Sequence, residues 1–220
     1  VKENSDYNII ENCKVYNNSG GAGIYLYNYS DSNIIKNNEI YDNYRGIWIF
    51  TYCCNNRIDS NTVYNNDWNG IVVDMFSNSN IIKNNTANSN QNYGIRLVSY
   101  VSGNLVENNI ANSNLDSGFI CHNVYSNTLR NNIAENNTVA GLMIKLTNDT
   151  YVYNITVSDN YNNIYSENST NITIVATASN PSGWDAAFYN STVSLTLQGL
   201  VINLNNNFKI KLSEYSQNKE

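Results

Sequence analysis

Proline, histidine and methionine are almost missing from this chain. It holds Pro181 alone, His122 alone, and only Met75 and Met143 among 220 residues. Charge is sparse too: 14% of residues are charged and the net charge is −6, without the basic stripe that a nucleic-acid binder needs. Nucleic acid is therefore excluded as a partner. No apolar run reaches the roughly 18 residues that a membrane helix requires. What remains is rich in asparagine, with 41% hydrophobic and 12% aromatic residues, too apolar for a disordered chain.

The four cysteines, Cys13, Cys53, Cys54 and Cys121, lack metal-ligand spacing, and the adjacent pair suits neither a zinc knuckle nor a redox CxxC. Their disulfide state is left open by the sequence. No signal peptide is visible at Val1, and the chain opens inside a repeat, which suggests a processed or excised piece of something longer.

The dominant feature is a repeat. Gly23-Ile24-Tyr25-Leu26 returns as Gly46-Ile47-Trp48-Ile49, Gly70-Ile71-Val72-Val73, Gly94-Ile95-Arg96-Leu97, Gly118-Phe119-Ile120-Cys121 and Gly141-Leu142-Met143-Ile144, at intervals of 23, 24, 24, 24 and 23 residues. Such a period signals a solenoid. Each unit has a second half, as in Asn33-Ile34-Ile35-Lys36-Asn37-Asn38 and Asn80-Ile81-Ile82-Lys83-Asn84-Asn85, followed by a further apolar position such as Ile40 or Ala87. Apolar residues alternate at period two inside every half, which is strand rather than helix. Three short strands per unit describe one coil of a parallel β-helix, with Ile47, Ile49 and their equivalents (Cys121 among them) facing inward.

Three columns carry further expectations. The glycine is read as a bend needing positive φ, with Asn163 as its tolerated substitute in the seventh unit. Asn37, Ser60, Asn84, Asn108 and Asn131, with Asn38, Asn61, Asn85, Asn109 and Asn132 beside them, are read as stacked corner amides. Glu11, Lys36, Asp59, Lys83, Glu107 and Arg130 alternate in sign, placing opposite charges on neighbouring coils. Tyr29, Tyr52, Phe76 and Tyr100, and separately Tyr16, Tyr41 and Tyr64, are expected to stack.

The expected fold is all-β: a right-handed parallel β-helix of about seven coils of 23–24 residues, occupying 1–175. Asn180-Pro181-Ser182-Gly183 breaks the rhythm, so 176–212, with strands at Val193 to Leu197, Leu200 to Leu204 and Phe208 to Leu212, are expected to form irregular late coils or a C-terminal cap. A disordered tail is expected over 213–220.

The G-I-x-L and N-x-I-x-x-N rhythm resembles the repeats of the right-handed β-helix superfamily, and is especially similar to copper-associated NosD-like and bacterial or archaeal surface proteins. The resemblance covers roughly residues 5–175 and implies the fold. Copper, which the NosD-like likeness suggests, needs His, Met or Cys clusters. His122, Met75, Met143 and scattered cysteines do not supply one, so no metal or cofactor is expected. The three-aspartate cluster of polygalacturonases, the acidic calcium cluster of pectate lyases and the Asp-Pro-His-Glu motif of epimerases are not evident.

Two outward features stand out. Asp74, His122 and Lys145 share one outward column with Val98, and Arg96 lies in the adjacent one, a set suited to acid–base chemistry or to holding an acidic sugar. Tyr25, Tyr27, Trp48 and Phe50, followed by Val72, Ile120 and Met143, give an outward apolar face suited to stacking on a glycan or to packing against another protein chain, including a second copy of this one. The missing catalytic motifs lead to the expectation of an extracellular or cell-surface, non-enzymatic module contacting a partner or glycan. The alternatives are a polysaccharide lyase, hydrolase or epimerase module, and a fibre subunit joined end to end. Sequons at Asn148, Asn154, Asn168, Asn171 and Asn190 are candidate glycosylation sites.

Overall fold

A computed structural model describes residues 1–179 and 184–197, together with the strands Ile210–Leu212 and Gln217–Asn218. Two long parallel sheets and a shorter third one build a solenoid of about eight turns. The long-strand sheet takes one strand from each coil: Ala22–Tyr27, Arg45–Phe50, Ile71–Asp74, Ile95–Val98, Ser117–His122, Ala140–Lys145, Asn162–Glu167, Trp184–Tyr189 and Ile210–Leu212. A second sheet begins at Ile9–Glu11 and passes through Ile34–Lys36 and Ile81–Lys83 to Thr192–Leu197 and Gln217–Asn218. A small third sheet joins Lys14–Tyr16, Glu39–Tyr41, Thr62–Tyr64 and Thr86–Asn88. The expected break at 180–183 and the expected strand over 200–204 lie outside the described residues, as does the expected tail apart from Gln217–Asn218.

The repeat registers as the sequence pattern requires: Ile24 pairs with Ile47, Ile47 with Ile71, Ile71 with Ile95, and Ile95 with Phe119. These side chains, with Leu26, Ile49, Val73, Leu97, Cys121 and Ile144, are buried in one continuous core. Each fully buried aliphatic contributes about 1.5–3 kcal/mol. Cys53 occupies an inward corner column with Ser30 and Ser77, its Sγ accepting from the Ser30 backbone N–H at 3.4 Å. All four cysteines are free thiols.

The glycines have a different cause from the expected one. Gly103 is the only described glycine with positive φ, and it lies outside the glycine-strand column. A Cβ on Gly94 would instead stand 2.7 Å from the Gly118 carbonyl oxygen and 2.8 Å from the Asn114 amide. The requirement is close approach between coils, not conformational freedom. Asn163, in the same column, also has no positive φ. It terminates an amide ladder, accepting from Asn160 Nδ2 at 3.0 Å.

There are three buried ladders where one corner was expected. Asn38, Asn61, Asn85, Asn109 and Asn132 form the expected one. Asn33, Asn56, Asn80, Asn104 and Asn127 form a second, and Asn43, Asn66, Asn90, Asn114, Asn137 and Asn160 a third. In each, the backbone N–H of one asparagine donates to Oδ1 of its equivalent on the following coil, as from Asn85 to Asn109 at 2.9 Å, and most side-chain amides also donate back to a carbonyl of the preceding coil, as from Asn85 to Ile58 at 3.0 Å. The other expected corner column, Asn37, Ser60, Asn84, Asn108 and Asn131, takes the positive-φ position beside the ladder. The central ladder stops at Asn132 because buried Ile155 takes the asparagine position on the next coil, although the corner persists there with Asn154 at φ 53°.

Ion pairing follows the alternating column in part. Lys36 bonds Glu11 at 2.8 Å and Arg130 bonds Glu107 at 2.7 Å. Asp59 is instead held by Arg57 of its own strand, which leaves Lys83 without a carboxylate partner among the described residues.

Both aromatic columns stack. Tyr16, Tyr41 and Tyr64 lie 5.1–5.2 Å apart, and Tyr29, Tyr52, Phe76 and Tyr100 lie 5.1–5.4 Å apart. In the latter, each ring residue has positive φ and follows a second positive-φ residue: Asn28, Thr51, Met75 and Ser99. From Asn123 onward the same turn carries one such residue instead of two, so the turn is shorter and the ring column ends.

Candidate functional site

The outer face of the long-strand sheet carries the candidate site. One column runs Tyr25, Trp48, Val72, Arg96, Ile120, Met143, Tyr165. The next holds Tyr27, Phe50 and Asp74 and, further along, Val98, His122, Lys145 and Glu167. Neighbouring strands in such a sheet lie roughly 4.8 Å apart.

At the first coils the face is aromatic. Tyr25 stacks on Trp48 at 4.8 Å, Trp48 lies 4.5 Å from Phe50, and Tyr27 lies 6.1 Å from Phe50. Sequence periodicity did not find its centre. Arg45, paired in register with Ala22, sets its guanidinium 4.3 Å from the Trp48 ring, 4.4 Å from Trp68 and 4.9 Å from Tyr44. No carboxylate lies within ion-pairing distance of it among the described residues. Burial lowers the Arg45 pKa, partly countered by the charges of Tyr44 and Asp74.

Three polar atoms on this face are buried without a hydrogen-bond partner: Trp48 Nε1, Asp74 Oδ1 and Arg96 Nε. Such atoms in a folded protein call for an explanation, an absent ligand or water among them. Arg96 lies 5.4 Å from the Tyr93 ring, and Tyr93 is held protonated by burial and by Asp116.

Further along, His122 pairs in register with Lys145, and Lys145 with Glu167. Lys145 Nζ bonds Glu167 at 3.3 Å and lies 5.1 Å from the Tyr165 ring, whose hydroxyl donates to Glu167 at 3.0 Å. Burial lowers the His122 pKa first. The Arg96 and Lys145 cations lower it further, against an opposing effect of Glu167. His122 is thus an uncharged imidazole at neutral pH. Tyr165 is pushed up to about 12 by burial and by Glu167, so it keeps its proton.

The expected quartet is therefore split. Arg96, His122 and Lys145 form one electrostatic group, whereas Asp74 faces Arg45 and Tyr25. The expected outward apolar face ends with the first coils. Val72, Ile120 and Met143 are buried, the last two with Ala140 beneath Tyr93, Val139 and Tyr165. The residue preceding each glycine forms a third column, in which Arg45 and Tyr93 stand. Aligning that position across the repeats would have revealed both. Asn148, Asn154, Asn168, Asn171 and Asn190 are all exposed. Among the described residues no three His, Cys, Asp or Glu side chains gather to hold a metal.

No curated protein matches this sequence. Among solved structures, the periplasmic alginate epimerase AlgG matches at 15% identity and TM-score 0.71, over 96% of this chain and 59% of that one. The enzymatically active domain of bacteriophage CBA120 tailspike protein 2 matches at 12% and 0.75, over 87% and 36%, and pectate lyase Pel9A at 13% and 0.63, over 86% and 68%. The chain spans about half the length, 48%, of another AlgG structure that it matches. At these identities the likeness carries the fold. It also corrects the expectation of a non-enzymatic surface or filament module, because these neighbours are named as enzymes, two of them acting on alginate and pectate. The model of the right-handed β-helix region matches residues 2–111, which reaches no further than the general family and does not single out the NosD-like group. The chain belongs to the right-handed β-helix family.

Proposed function

We propose that this protein is a carbohydrate-active β-helix that binds an acidic polysaccharide on the outer face of its long-strand sheet. The reaction is proton abstraction from the sugar carbon beside the carboxylate. Its single strongest support is His122, an uncharged base set between the cations of Arg96 and Lys145.

Removing that carbon-bound proton leaves charge on the adjoining carboxylate, and paired cations stabilise the charge as it develops. Arg96 and Lys145 are suited to this task and His122 to taking the proton. The carbanion then either expels the neighbouring glycosidic oxygen, which takes up a proton and departs as a hydroxyl, giving an unsaturated sugar, or is reprotonated on its other face, giving the epimer. Tyr93 and Tyr165, both protonated, are the nearby hydroxyl acids for that return. Hydrolysis fits less well. Asp74 and Glu167, the carboxylates of this column, stand four coils apart, roughly 19 Å at ordinary strand spacing, beyond the roughly 10 Å limit of paired-carboxylate hydrolysis.

The net charge of −6 opposes an anionic substrate, and the face offsets it locally by gathering Arg45, Arg96 and Lys145. A location outside the cytoplasm, where such polymers occur, goes with this reading, as does modification at the exposed sequons. The test is incubation with alginate and with polygalacturonate in deuterated water. Deuterium entering the sugar beside the carboxylate, or ultraviolet absorbance from an unsaturated product, is expected from the wild type and lost in His122→Ala. Neither signal from any uronate polymer, or a signal indifferent to His122, overturns the proposal.

A further inference from the structure

We infer that Arg45, caged by Tyr44, Trp48 and Trp68, is an anchoring subsite for the carboxylate of a sugar residue about three coils from His122, and that it makes the protein selective for long acidic chains. This rests on the acidic-polysaccharide reading above and adds a site to it.

The cage fixes one guanidinium against three rings, at 4.3–4.9 Å from their centroids. A guanidinium held among rings still has its N–H groups as its hydrogen-bonding edge, the edge that pairs with a carboxylate. No described residue supplies that carboxylate by an ion pair. The nearest acid in electrostatic range, Asp74, keeps a buried oxygen without a hydrogen-bond partner, and Trp48 Nε1 beside the cage is likewise unpartnered. A partly desolvated guanidinium, an unused indole N–H and an unused carboxylate oxygen together match a ligand bearing both an anion and hydroxyl groups. An acidic pyranose has that chemistry, and the Tyr25–Trp48–Phe50 patch offers a flat apolar surface for its ring.

The line from Arg45 to His122 runs obliquely over the sheet: Trp48, Val72, Arg96 and Ile120 stack in register along the axis, Arg45 stands three positions before Trp48, and His122 two positions after Ile120. Three coils span roughly 14 Å along the axis, and the two columns are offset along the strand as well, so a chain advancing by about one coil per sugar needs at least about four residues to touch both Arg45 and His122.

Binding of alginate- and polygalacturonate-derived oligosaccharides of increasing length, and of their fully methyl-esterified counterparts, is to be measured by titration calorimetry. For the wild type, affinity for acidic chains should climb steeply once they exceed about four residues. Arg45→Gln should lose on the order of tenfold for chains above that length and nothing for dimers, the size of a lost charge-assisted hydrogen bond. Arg45→Lys should recover part of it. An unchanged length profile in a folded Arg45→Gln overturns the subsite. If that variant does not fold, equal wild-type affinity for acidic and esterified chains overturns it instead. His122-dependent exchange with no Arg45 effect removes the subsite and leaves the proposed reaction standing, whereas the absence of both binding and exchange with every acidic chain removes the two together.

Discussion

Gly94 and Gly118 approach so closely that a methyl group on the first would lie 2.7 Å from the carbonyl oxygen of the second, with the Ala111 methyl at 2.8 Å on another side. Neither the backbone oxygen nor the buried alanine can yield. Gly94→Ala should therefore destabilise the protein by about 1–3 kcal/mol, as overpacking does. Gly20→Ala, which meets nothing within 4 Å, should be neutral or slightly stabilising. Urea midpoints at unchanged slope give the comparison. Equal midpoints for the two variants would show that coil spacing is not what selects glycine.

The ladder amides should be far less replaceable than the asparagines beside them. Asn109→Ala strands the Asn85 backbone N–H and the Ile82 carbonyl, and should cost about 3 kcal/mol or more. Asn108→Gly keeps a backbone of φ 54° that glycine adopts freely, and should stay within about 0.5 kcal/mol of wild type. Chemical denaturation of both variants is the check.

His122 sets a pH dependence whose sign is fixed by its environment. Its folded pKa lies below 6.5, so the unfolded chain takes up a proton first as pH falls. Stability is full above about pH 6.5 and declines as pH drops from there through the folded value. Denaturation across that window should show the decline in wild type and a reduced one in His122→Gln. Removing a cation, as in Lys145→Met, should move the acid limb of any turnover upward.

The thiols should react in the order that burial dictates. Cys13 is exposed and Cys54 half-buried, whereas Cys53 and Cys121 are buried and pushed up to about 11 and about 12 by loss of solvent. A thiol reagent at neutral pH should label Cys13 quickly and Cys54 slowly, and reach the other two only on unfolding. Rapid labelling of Cys121 in the native protein would contradict its inward register.

The fold was legible because a solenoid writes each structural requirement several times. Ile24, Ile47, Ile71 and Ile95 repeat one inward position, and their register in the structure is the one their spacing demands. The reason for the glycines was not legible, since positive φ and close approach select the same residue and only coordinates separate them. The site was half legible. Arg96, His122 and Lys145 stand out as polar, titratable side chains at variable strand positions. Arg45 opens its strand, and Tyr44 and Trp68 lie in the turns before theirs, where the alternation that marks inside from outside lapses. The burial of Ile120 and Met143 depends on how the turns carrying Tyr93 and Val139 pack over the sheet beside Tyr165 of the next strand, which strand periodicity does not encode.

The asparagine ladders also point in one direction. Backbone N–H groups such as those of Asn33, Asn56 and Asn80 find their acceptors on the following coil. On a ribosome, the most recently emerged coil carries donors whose acceptors have not yet been made, while every coil behind it is already satisfied. A chain interrupted at any ladder coil would therefore end on amide donors without acceptors, whereas the coils before it are satisfied.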